Sequence, residues 1–334
     1  MNSVFIVIVN YRTGPLVIEC LASLVGERAA LRGGRVVVVD NASGDDSVAT
    51  IATAIESNGW GDWAEVLALP LNGGFSYGNN HAIRRAREHD PQLGLVVLLN
   101  PDTTVLAGAM AELIGHFDRH PRAGIAGASI ENEHGVLQPS AHPFHSPLAE
   151  LDSAAQLGVL TAMLGARSLS KPATTELQAI DWASGACLAV RAEVFDAIGM
   201  FDEGYFLYFE ETDFCLRAKK AGWSCWLVPS ARVRHVEGAA TGICEATRRR
   251  PAYWFDSRRR FFVKAHGVVG LLLADVLWSL GRASFVLRRA VGLGGAPKHN
   301  AEPRRFAFDL WWGDIKALVT GDLRKAKLRD RRTA

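Results

Sequence analysis

The sequence predicts an α/β fold, with a doubly wound, mainly parallel sheet and a helical extension at its C-terminal end. Four short, unbroken runs of apolar residues begin near residues 4, 35, 65 and 95, as is typical of strands buried on both faces. Segments with helical periodicity follow these runs, beginning near residues 14, 47, 82 and 109. This alternation of strand and helix is the pattern of a parallel sheet covered by helices.

The composition is that of a globular protein, because 49% of the 334 residues are hydrophobic and 22% are charged. The net charge of +2 hides an uneven distribution. Residues 248–264 contain seven Lys or Arg against one Asp, and residues 324–332 contain six against one. We therefore predict an α/β domain over residues 1–240 and a basic, aromatic helical region over residues 241–334.

The cysteines and the apolar runs indicate the compartment. The five cysteines are odd in number and show no CxxC spacing, which favours buried thiols in a reducing compartment. Residues 1–3 lead directly into a strand, so no signal peptide is predicted. The longest apolar run, residues 268–280, contains Asp275 and is shorter than the roughly 20 residues that cross a membrane.

Polar residues follow all four of the first strands, namely Asn10, Asp40, Asn72 and Asp102. The carboxyl ends of parallel strands share one edge of a sheet, so these side chains are expected to converge on one crevice. Ligands bind at that edge in open α/β sheets. No GxGxxG segment follows the first strand, which counts against a dinucleotide cofactor.

The fourth strand, residues 95–99, stops at Asn100-Pro101-Asp102 because proline cannot donate a ladder hydrogen bond. A carboxylate at this position suits a hard divalent cation that bridges to phosphates. The alternative is that Asp102 caps the helix that begins near Leu106. Residues 131–180 show no clear period, and they form either a flap over a second substrate or surface elaboration.

A second dense region begins at Asp181. We predict a strand over residues 205–209 that leads to Glu210, Glu211 and Asp213 in the first turn of a helix. Carboxylates in the first turn of a helix interact favourably with the helix dipole, and this interaction is enough to explain the presence of Glu210. Aromatic residues in the strand before the helix would exclude water and raise the pKa of a carboxylate toward that of a general base. We therefore expect at least one of the three carboxylates to take part in the reaction. A strand over residues 223–228 is expected to end at Pro229, and His235 follows it as either a structural residue or a metal ligand.

Taken together, six ordered motifs over about residues 3–240 resemble family 2 glycosyltransferases, and within them the bacterial rhamnosyltransferase and galactofuranosyltransferase branch. They are a strand with Asn10-Tyr11, Val-Val-Asp40-Asn41-Ala42-Ser43, Asn72-x-Gly74-Phe75 with Gly78-Asn79-Asn80, Leu99-Asn100-Pro101-Asp102, Ser184-Gly185-Ala186, and Phe209-Glu210-Glu211-Thr212-Asp213-Phe214-Cys215-Leu216-Arg217. The resemblance implies a GT-A fold, a nucleotide-diphospho-sugar donor, a divalent metal (Mg²⁺ or Mn²⁺) and inversion at the anomeric carbon.

The resemblance also implies roles for individual residues. Asp40 would bind the pyrimidine base, and Asn100 stands where the family's DxD motif has its first Asp. Asp102 and His235 would hold the metal, and Glu211 would be the catalytic base, with Asp213 as the alternative. The other donor-binding residues would be Asn10, Tyr11, Arg12, Asn72, Gly74, Phe75 and Asn79. The acceptor would lie against Trp182, Ser184, Gly185 and Glu210.

The C-terminal region lies outside most of this resemblance. Its arginines alternate with aromatic residues, a pattern found in proteins that bind nucleic acid or anionic membranes, and the apolar run that follows favours the membrane. A buried helical bundle with a solvated basic face is the alternative. Residues 292–305 are expected to form a linker before a last helix over residues 306–318.

The sequence therefore predicts a cytoplasmic enzyme that is peripheral on the inner face of the cell membrane and binds no nucleic acid. It would add one sugar, with rhamnose from dTDP-rhamnose as first choice, to a lipid-linked or cell-surface glycan acceptor in cell wall or polysaccharide synthesis. UDP-galactofuranose and UDP-N-acetylglucosamine are alternative donors. A non-catalytic sugar-nucleotide-binding scaffold and, more weakly, a nucleotidyltransferase are the alternatives of another class. The sequence leaves a homo-oligomer open.

Overall fold

The computed structural model of the chain describes residues 3–169, 172–236, 248–293 and 303–323. It divides the chain into two compact units. The first contains residues 1–141, 172–206 and 210–242, and the second contains residues 142–171, 207–209 and 243–334. The second unit thus includes residues 142–171 and 207–209 in addition to the predicted C-terminal region. The predicted boundary at residue 240 lies outside the described residues and stays a prediction.

The strands of the described residues are short, and most of them lie in the first unit. They are β1 (Val4–Asn10), β2 (Val36–Asp40), β3 (Ala64–Ala68), β4 (Leu95–Leu99), β5 (Thr103–Val105), β6 (Ala123–Glu131), β7 (Ala141–His142), β8 (Gln178–Ile180), β9 (Trp182–Ala183), β10 (Cys187–Arg191) and β11 (Ser224–His235). One large sheet runs in the order β3-β2-β1-β4-β10-β6-β11-β5, and β8 pairs with β11.

The α-helices of the described residues alternate with the strands in the first part of the chain and cluster near its C-terminal end. They are α1 (Gly14–Leu24), α2 (Ser47–Ser57), α3 (Phe75–His89), α4 (Ala109–Arg119), α5 (Pro147–Ala155), α6 (Gly158–Leu164), α7 (Ala192–Ile198), α8 (Glu210–Lys220), α9 (Ala252–Ala290) and α10 (Phe306–Val319). Two 3₁₀ helices span Val25–Leu31 and Gly165–Arg167.

The predicted parallel pairing is confirmed for the first four apolar runs, which are β1 to β4. β1 pairs in parallel with both β2 and β4, and β2 pairs in parallel with β3. Every residue of β1, β2 and β4 is buried, because helices cover both faces of these strands. Beyond β4 the sheet becomes mixed, since β10 runs antiparallel to both β4 and β6. The predicted α/β fold with a mainly parallel, doubly wound half is therefore present.

Two predicted strands differ from the structure. Residues 205–209 are not a strand, because Tyr208 and Phe209 have left-handed backbone conformations with φ of 71° and 67°. The last strand does not end at Pro229 either. β11 passes its proline in an irregularity between Val228 and Arg232, then resumes and reaches His235. Proline is tolerated at a bulge, where the strand needs no ladder hydrogen bond.

The second unit is helical. α9 bends at Gly267, whose φ of 74° and ψ of 176° are not helical. Its second half packs on α5, where Gly281 lies against the backbone of Leu151 and Ala155. Among the described residues, α9 is the one helix whose length and apolar composition would suffice to cross a membrane, contrary to the prediction from its apolar run, but 39% of its most apolar stretch is buried. The predicted last helix is confirmed as α10. Most of the predicted linker and the basic tail lie outside the described residues.

Candidate active site at the carboxyl ends of the parallel strands

The first group of site residues joins the ends of β1 and β2. Asn10 and Asp40 are register partners, and Asn10 Nδ2 donates to Asp40 Oδ1 at 2.7 Å. Ser43 donates to the same carboxylate through its Oγ (2.5 Å) and its backbone N–H (3.0 Å). Arg12 donates from Nε to the Ser43 carbonyl at 2.9 Å, and its guanidinium lies 5.2 Å from the centre of the Tyr11 ring. Ser43 therefore connects the buried Asp40 carboxylate to the exposed Arg12.

The second group is the turn between β3 and α3. Asn72 Oδ1 accepts from the N–H of Gly74 at 3.0 Å, which sets the turn before the helix. Gly74 has a φ of 88°, and a Cβ there would stand 2.1 Å from the carbonyl oxygen of Phe206. That carbonyl accepts from the N–H of Phe75 at 2.7 Å. Only glycine permits both the positive φ and this close approach.

Asn41 and Asn79 tie this turn to its neighbours and are both buried. Asn41 Nδ2 donates to the Gly74 carbonyl at 2.9 Å, which links the end of β2 to the turn. Asn79 Nδ2 donates to the Phe75 carbonyl at 2.9 Å. Within the described residues, the side-chain oxygens of Asn41 and Asn79 accept no hydrogen bond. Buried acceptors without donors are costly to the fold, so both oxygens are candidates for contacts with a bound ligand.

The third group lies beyond β4. Asp102 Oδ1 is 3.0 Å from His235 Nε2, and the Asn100 amide nitrogen is 3.3 Å from the same ring atom. β5 pairs antiparallel with β11 and places His235 opposite Thr103. The capping alternative for Asp102 is wrong. Helix α4 begins at Ala109, and the Glu27 carboxylate accepts from the N–H groups at its start.

The residues beyond β4 fit a divalent cation when its other ligands come from elsewhere. Asp102 Oδ1 and His235 Nε2 lie close enough together that one cation could contact both of them. The amide of Asn100 could add a neutral oxygen. In the part of the chain that the structure describes, no group of three His, Cys, Asp or Glu side chains could hold a metal. The protein would thus supply a pair of ligands and leave the rest to phosphate and water.

The fourth group brings a carboxylate to the same strand end. Residues 184–186 precede β10 and cross the end of β4, where the Ala186 carbonyl accepts from the N–H of Asn100 at 3.1 Å. A Cβ on Gly185 would stand 2.1 Å from Glu211 Oε1. Burial raises the pKa of the Glu211 carboxyl, while hydrogen bonds from the backbone N–H groups of Glu211 and Gly185 lower it. The net shift is upward, which suits a group that accepts a proton.

The neighbouring carboxylates of α8 are arranged differently. Asp213 is buried and accepts from Arg217 Nε at 2.8 Å and from the Tyr205 hydroxyl at 3.3 Å. The other nitrogens of Arg217 donate to the carbonyls of Ile198 and Met200. The Asp213 carboxylate therefore already has partners that hold the start of α8 to the preceding loop. Glu210 is also buried, in the first turn of α8.

The structure thus brings most of the predicted residues to one edge of the sheet. Trp182, at the start of β9, and Ser184 lie on the segment that leads to Gly185. The sequence interpretation did not assign Ser43, although its spacing of three from Asp40 is that of a side-chain turn. It also missed the partner of Asp213, although a spacing of four within one helix could have indicated Arg217.

Comparisons with known proteins show the family of the chain. Residues 2–257 match the family described as glycosyltransferase like family 2. The chain is 32% identical over 300 residues to N-acetylglucosaminyl-diphospho-decaprenol L-rhamnosyltransferase of Mycobacterium tuberculosis, an alignment that covers 85% of this chain and 90% of that protein.

Two solved structures share the GT-A fold at low identity. S. aureus TarS 1-349 in complex with UDP-GlcNAc has a TM-score of 0.54 at 16% identity, with 98% of this chain and 81% of that chain covered. The mannosyltransferase PcManGT of Pyrobaculum calidifontis, in complex with GDP-Man and Mn²⁺, has a TM-score of 0.53 at 16% identity, with 99% and 87% covered. The predicted GT-A fold is confirmed. The chain is a glycosyltransferase and belongs to the family 2 glycosyltransferases.

Proposed function

We propose that this enzyme transfers one rhamnose, with inversion and with a divalent metal, from dTDP-rhamnose to a hydroxyl of a lipid-linked glycan precursor. The observation that carries the proposal is the position of the Glu211 carboxylate, which lies against Gly185 at the end of β4. The donor and the acceptor class are supported by the relative from M. tuberculosis, whose name gives a rhamnosyl transfer onto a diphospho-decaprenol lipid.

Glu211 acts as the general base in this proposal. It takes the proton from the acceptor hydroxyl while that oxygen attacks the anomeric carbon from the side opposite the leaving diphosphate. A single displacement of this kind inverts the configuration at the carbon. Asp213 acts as a positioning residue, because its carboxylate is held by Arg217 and Tyr205. The acceptor would approach along Trp182, Ser184, Gly185 and Glu210.

The donor lies on the other groups of the site. Asp40, oriented by Asn10 and Ser43, accepts from the pyrimidine N–H, and Tyr11 and Arg12 offer a flat, cationic surface above it. The turn that faces the sugar nucleotide contains Asn72, Gly74 and Phe75. Asn79 in α3 and Asn100 after β4 contact the donor beside this turn. Asp102 and His235 would hold the metal, which when bound would supply positive charge to the departing diphosphate.

A lipid-linked acceptor implies work at the membrane. We infer that the enzyme is peripheral on the cytoplasmic face, where sugar nucleotides are made, and that it serves cell wall or polysaccharide synthesis. The relative's printed substrate carries a polyprenyl chain, which supports this location. Nothing in the proposed chemistry requires nucleic acid, and association into a homo-oligomer is left open.

The experiment that tests the proposal measures the product. The full chain is incubated with Mn²⁺, a synthetic N-acetylglucosaminyl-diphospho-prenol and either dTDP-rhamnose, UDP-galactofuranose or UDP-N-acetylglucosamine. We expect the glycosylated lipid and free dTDP with dTDP-rhamnose, and NMR of the product should show an inverted anomeric configuration. Glu211→Gln should lower kcat by about 10²–10⁴ and keep donor affinity.

The same experiment separates the alternatives. Turnover with a UDP-sugar instead would move the donor assignment, while retention of configuration would rule out Glu211 as the base of a single displacement. A sugar-nucleotide-binding scaffold is the second candidate, because Asn100 gives a neutral ligand where the family's motif has an Asp. Tight donor binding without any turnover, in the wild type as in Glu211→Gln, would favour that candidate.

A further inference from the structure

The outward face of α9 beyond Gly267 is apolar. Five of its exposed apolar side chains recur at spacings of four, three, four and seven residues, so they lie on one side of the helix: Val269 (79% exposed), Leu273 (48%), Val276 (43%), Leu280 (58%) and Leu287 (66%). The opposite side is buried and includes Leu271, Trp278 and Phe285. The one acidic residue of this half is Asp275, which is fully buried and accepts from Arg258 at 2.8 Å.

Helix α10 repeats the arrangement. Four of its exposed apolar side chains follow the same spacing of four, three and four: Phe308 (50%), Trp312 (60%), Ile315 (46%) and Val319 (80%). Leu310 and Asp314 lie on the buried side, and Asp314 accepts from Arg259 at 2.5 Å. The side chain of Asp309 is also largely buried, in an ion pair with Arg249.

These two helices therefore reverse the usual surface pattern. A helix on the surface of a soluble domain directs its apolar stripe to the core and its charges to water. In α9 and α10 the acidic residues point inward to arginines, and the outward faces consist of Leu, Val, Ile, Phe and Trp. Apolar faces of this extent mark contacts with a membrane or another protein. Exposed Trp and Phe beside aliphatic residues are typical of side chains at the boundary of a bilayer.

The charged residues around these apolar faces indicate an anionic partner. In residues 268–293 and 303–323, four of the five exposed charged side chains are cationic, namely Arg289, Arg304, Arg305 and Lys316, and Asp322 is the acidic one. Two arginines earlier in α9 behave differently, because Arg258 and Arg259 are buried or nearly so and are bound to carboxylates. Cations that flank an apolar face complement an anionic lipid surface.

We propose that the outward faces of α9 beyond Gly267 and of α10 lie in the interface of an anionic bilayer, where they bind it peripherally. The buried face of α9, with the ion pair of Asp275 and Arg258, packs inside its own unit, so the helix lies in the plane of the interface instead of crossing the membrane. This proposal rests on the proposed function, because it gives a lipid-linked acceptor a surface on which to meet the enzyme.

The test uses the full chain and sedimentation with vesicles of phosphatidylcholine alone or of phosphatidylcholine with phosphatidylglycerol. The wild type should pellet with the anionic vesicles and more weakly with the neutral ones, and salt should weaken its binding. Leu280→Glu and Trp312→Glu, singly and together, should lower the partition coefficient by about tenfold or more. Met163→Glu is the matched control, because Met163 is 79% exposed on α6 of the same unit and should leave binding unchanged.

Two further measurements make the outcome decisive. Circular dichroism and the release of nucleoside diphosphate with a short-chain, water-soluble acceptor should be unchanged in the variants, so loss of vesicle binding cannot be ascribed to misfolding. Equal binding of wild type and double variant would overturn the proposal. So would a wild-type dimer, without vesicle binding, that Leu280→Glu dissociates in size-exclusion chromatography, because the face would then be a contact between copies. Vesicle binding without any turnover would contradict only the proposed function.

Discussion

Glu211 Oε1 occupies the place where a side chain at position 185 would begin, since a Cβ on Gly185 would stand 2.1 Å away from it. Gly185→Ala should therefore displace the carboxylate and lower kcat by about 10²-fold, as a shift of about 1 Å at a reacting group does. Donor affinity, measured by calorimetry, should stay unchanged because the donor groups lie elsewhere.

Gly26→Ala is the control for this substitution. Gly26 lies in a 3₁₀ helix, and a Cβ there would meet nothing within 4 Å. Wild-type kcat is expected for Gly26→Ala. Wild-type kcat for Gly185→Ala as well would mean that the Glu211 carboxylate does not act at this place.

The pH dependence of kcat/KM should report the Glu211 carboxyl. Its pKa is raised by burial, so the proton-accepting form is lost as the pH falls through a value above the 4.5 of an ordinary glutamate. The wild type should show an acid limb with its midpoint above that value, measured with saturating metal. The residual activity of Glu211→Gln should lack this limb. An acid limb that persists unchanged in Glu211→Gln belongs to another group.

Asp213→Asn should affect stability more than chemistry. The substitution weakens the ion pair with Arg217 and the hydrogen bond from Tyr205, so the free energy of unfolding should fall by about 1.5–3 kcal/mol. The kcat of the folded variant should stay within about tenfold of wild type. A loss of 10² or more in kcat at unchanged stability would move the base from Glu211 to Asp213.

Metal dependence should follow Asp102 and His235. Calorimetry of dTDP binding with and without Mn²⁺ should show tighter binding with the metal in the wild type. Asp102→Ala and His235→Ala should each lower that gain by about tenfold or more. Asp118→Ala, which removes a surface partner of Arg32, should keep the full gain. If all variants keep it, the pair between Asp102 and His235 is a structural link between β5 and β11.

The buried ion cluster of the second unit should make stability depend on pH. Burial raises the pKa of Asp275 to about 7, against the lowering effect of Arg258, and the nearby Asp314 raises it further. The folded state therefore holds a proton that the unfolded state releases near pH 3.8, so this contribution to stability declines as the pH rises from about 3.8 to about 7 and is lost above that. Glu150 also contacts Arg258, but its contribution to stability changes in a different pH range. Its burial is outweighed by Arg258, which lowers its pKa to about 2, so its contribution is lost only in acid.

Between about pH 5 and about pH 8, the melting temperature of the wild type should accordingly fall relative to that of Asp275→Asn. Asp256→Asn serves as the control, because Asp256 pairs with Arg259 but its side chain is 67% exposed. A difference that is constant with pH, or that grows in favour of the wild type, would show that Asp275 is ionised throughout.

The parallel half of the fold could be predicted because its strands are buried on both faces and therefore appear as unbroken apolar runs. The mixed half could not, since the place of β10 between β4 and β6 depends on pairings distant in sequence. Aromatic residues at 205–209 have high strand propensity, but left-handed conformations at Tyr208 and Phe209 override it.

The site shows the same division. Asn10 and Asp40 could be brought together in advance because register partners at parallel strand ends must meet. The choice between Glu211 and Asp213 could not be made from their positions, since both lie in the first turn of α8. The proposed roles rest on the position of Glu211 against Gly185 and on the ion pair of Asp213 with Arg217, and the first of these contacts forms only on folding.

The irregularity in β11 governs which way its last residues face. Between the pairs that join Val228 to Ala128 and Arg232 to Ser129, β11 has three residues, 229–231, while β6 has none. Because side chains alternate along a strand, the number of residues in this loop decides whether His235 points to Asp102 or away from it. If loss or gain of a single residue between Val228 and Arg232 shifted the following pairs by one position, the imidazole would face the other side of the sheet. The length of this segment, more than its composition, thus determines whether His235 lies beside Asp102.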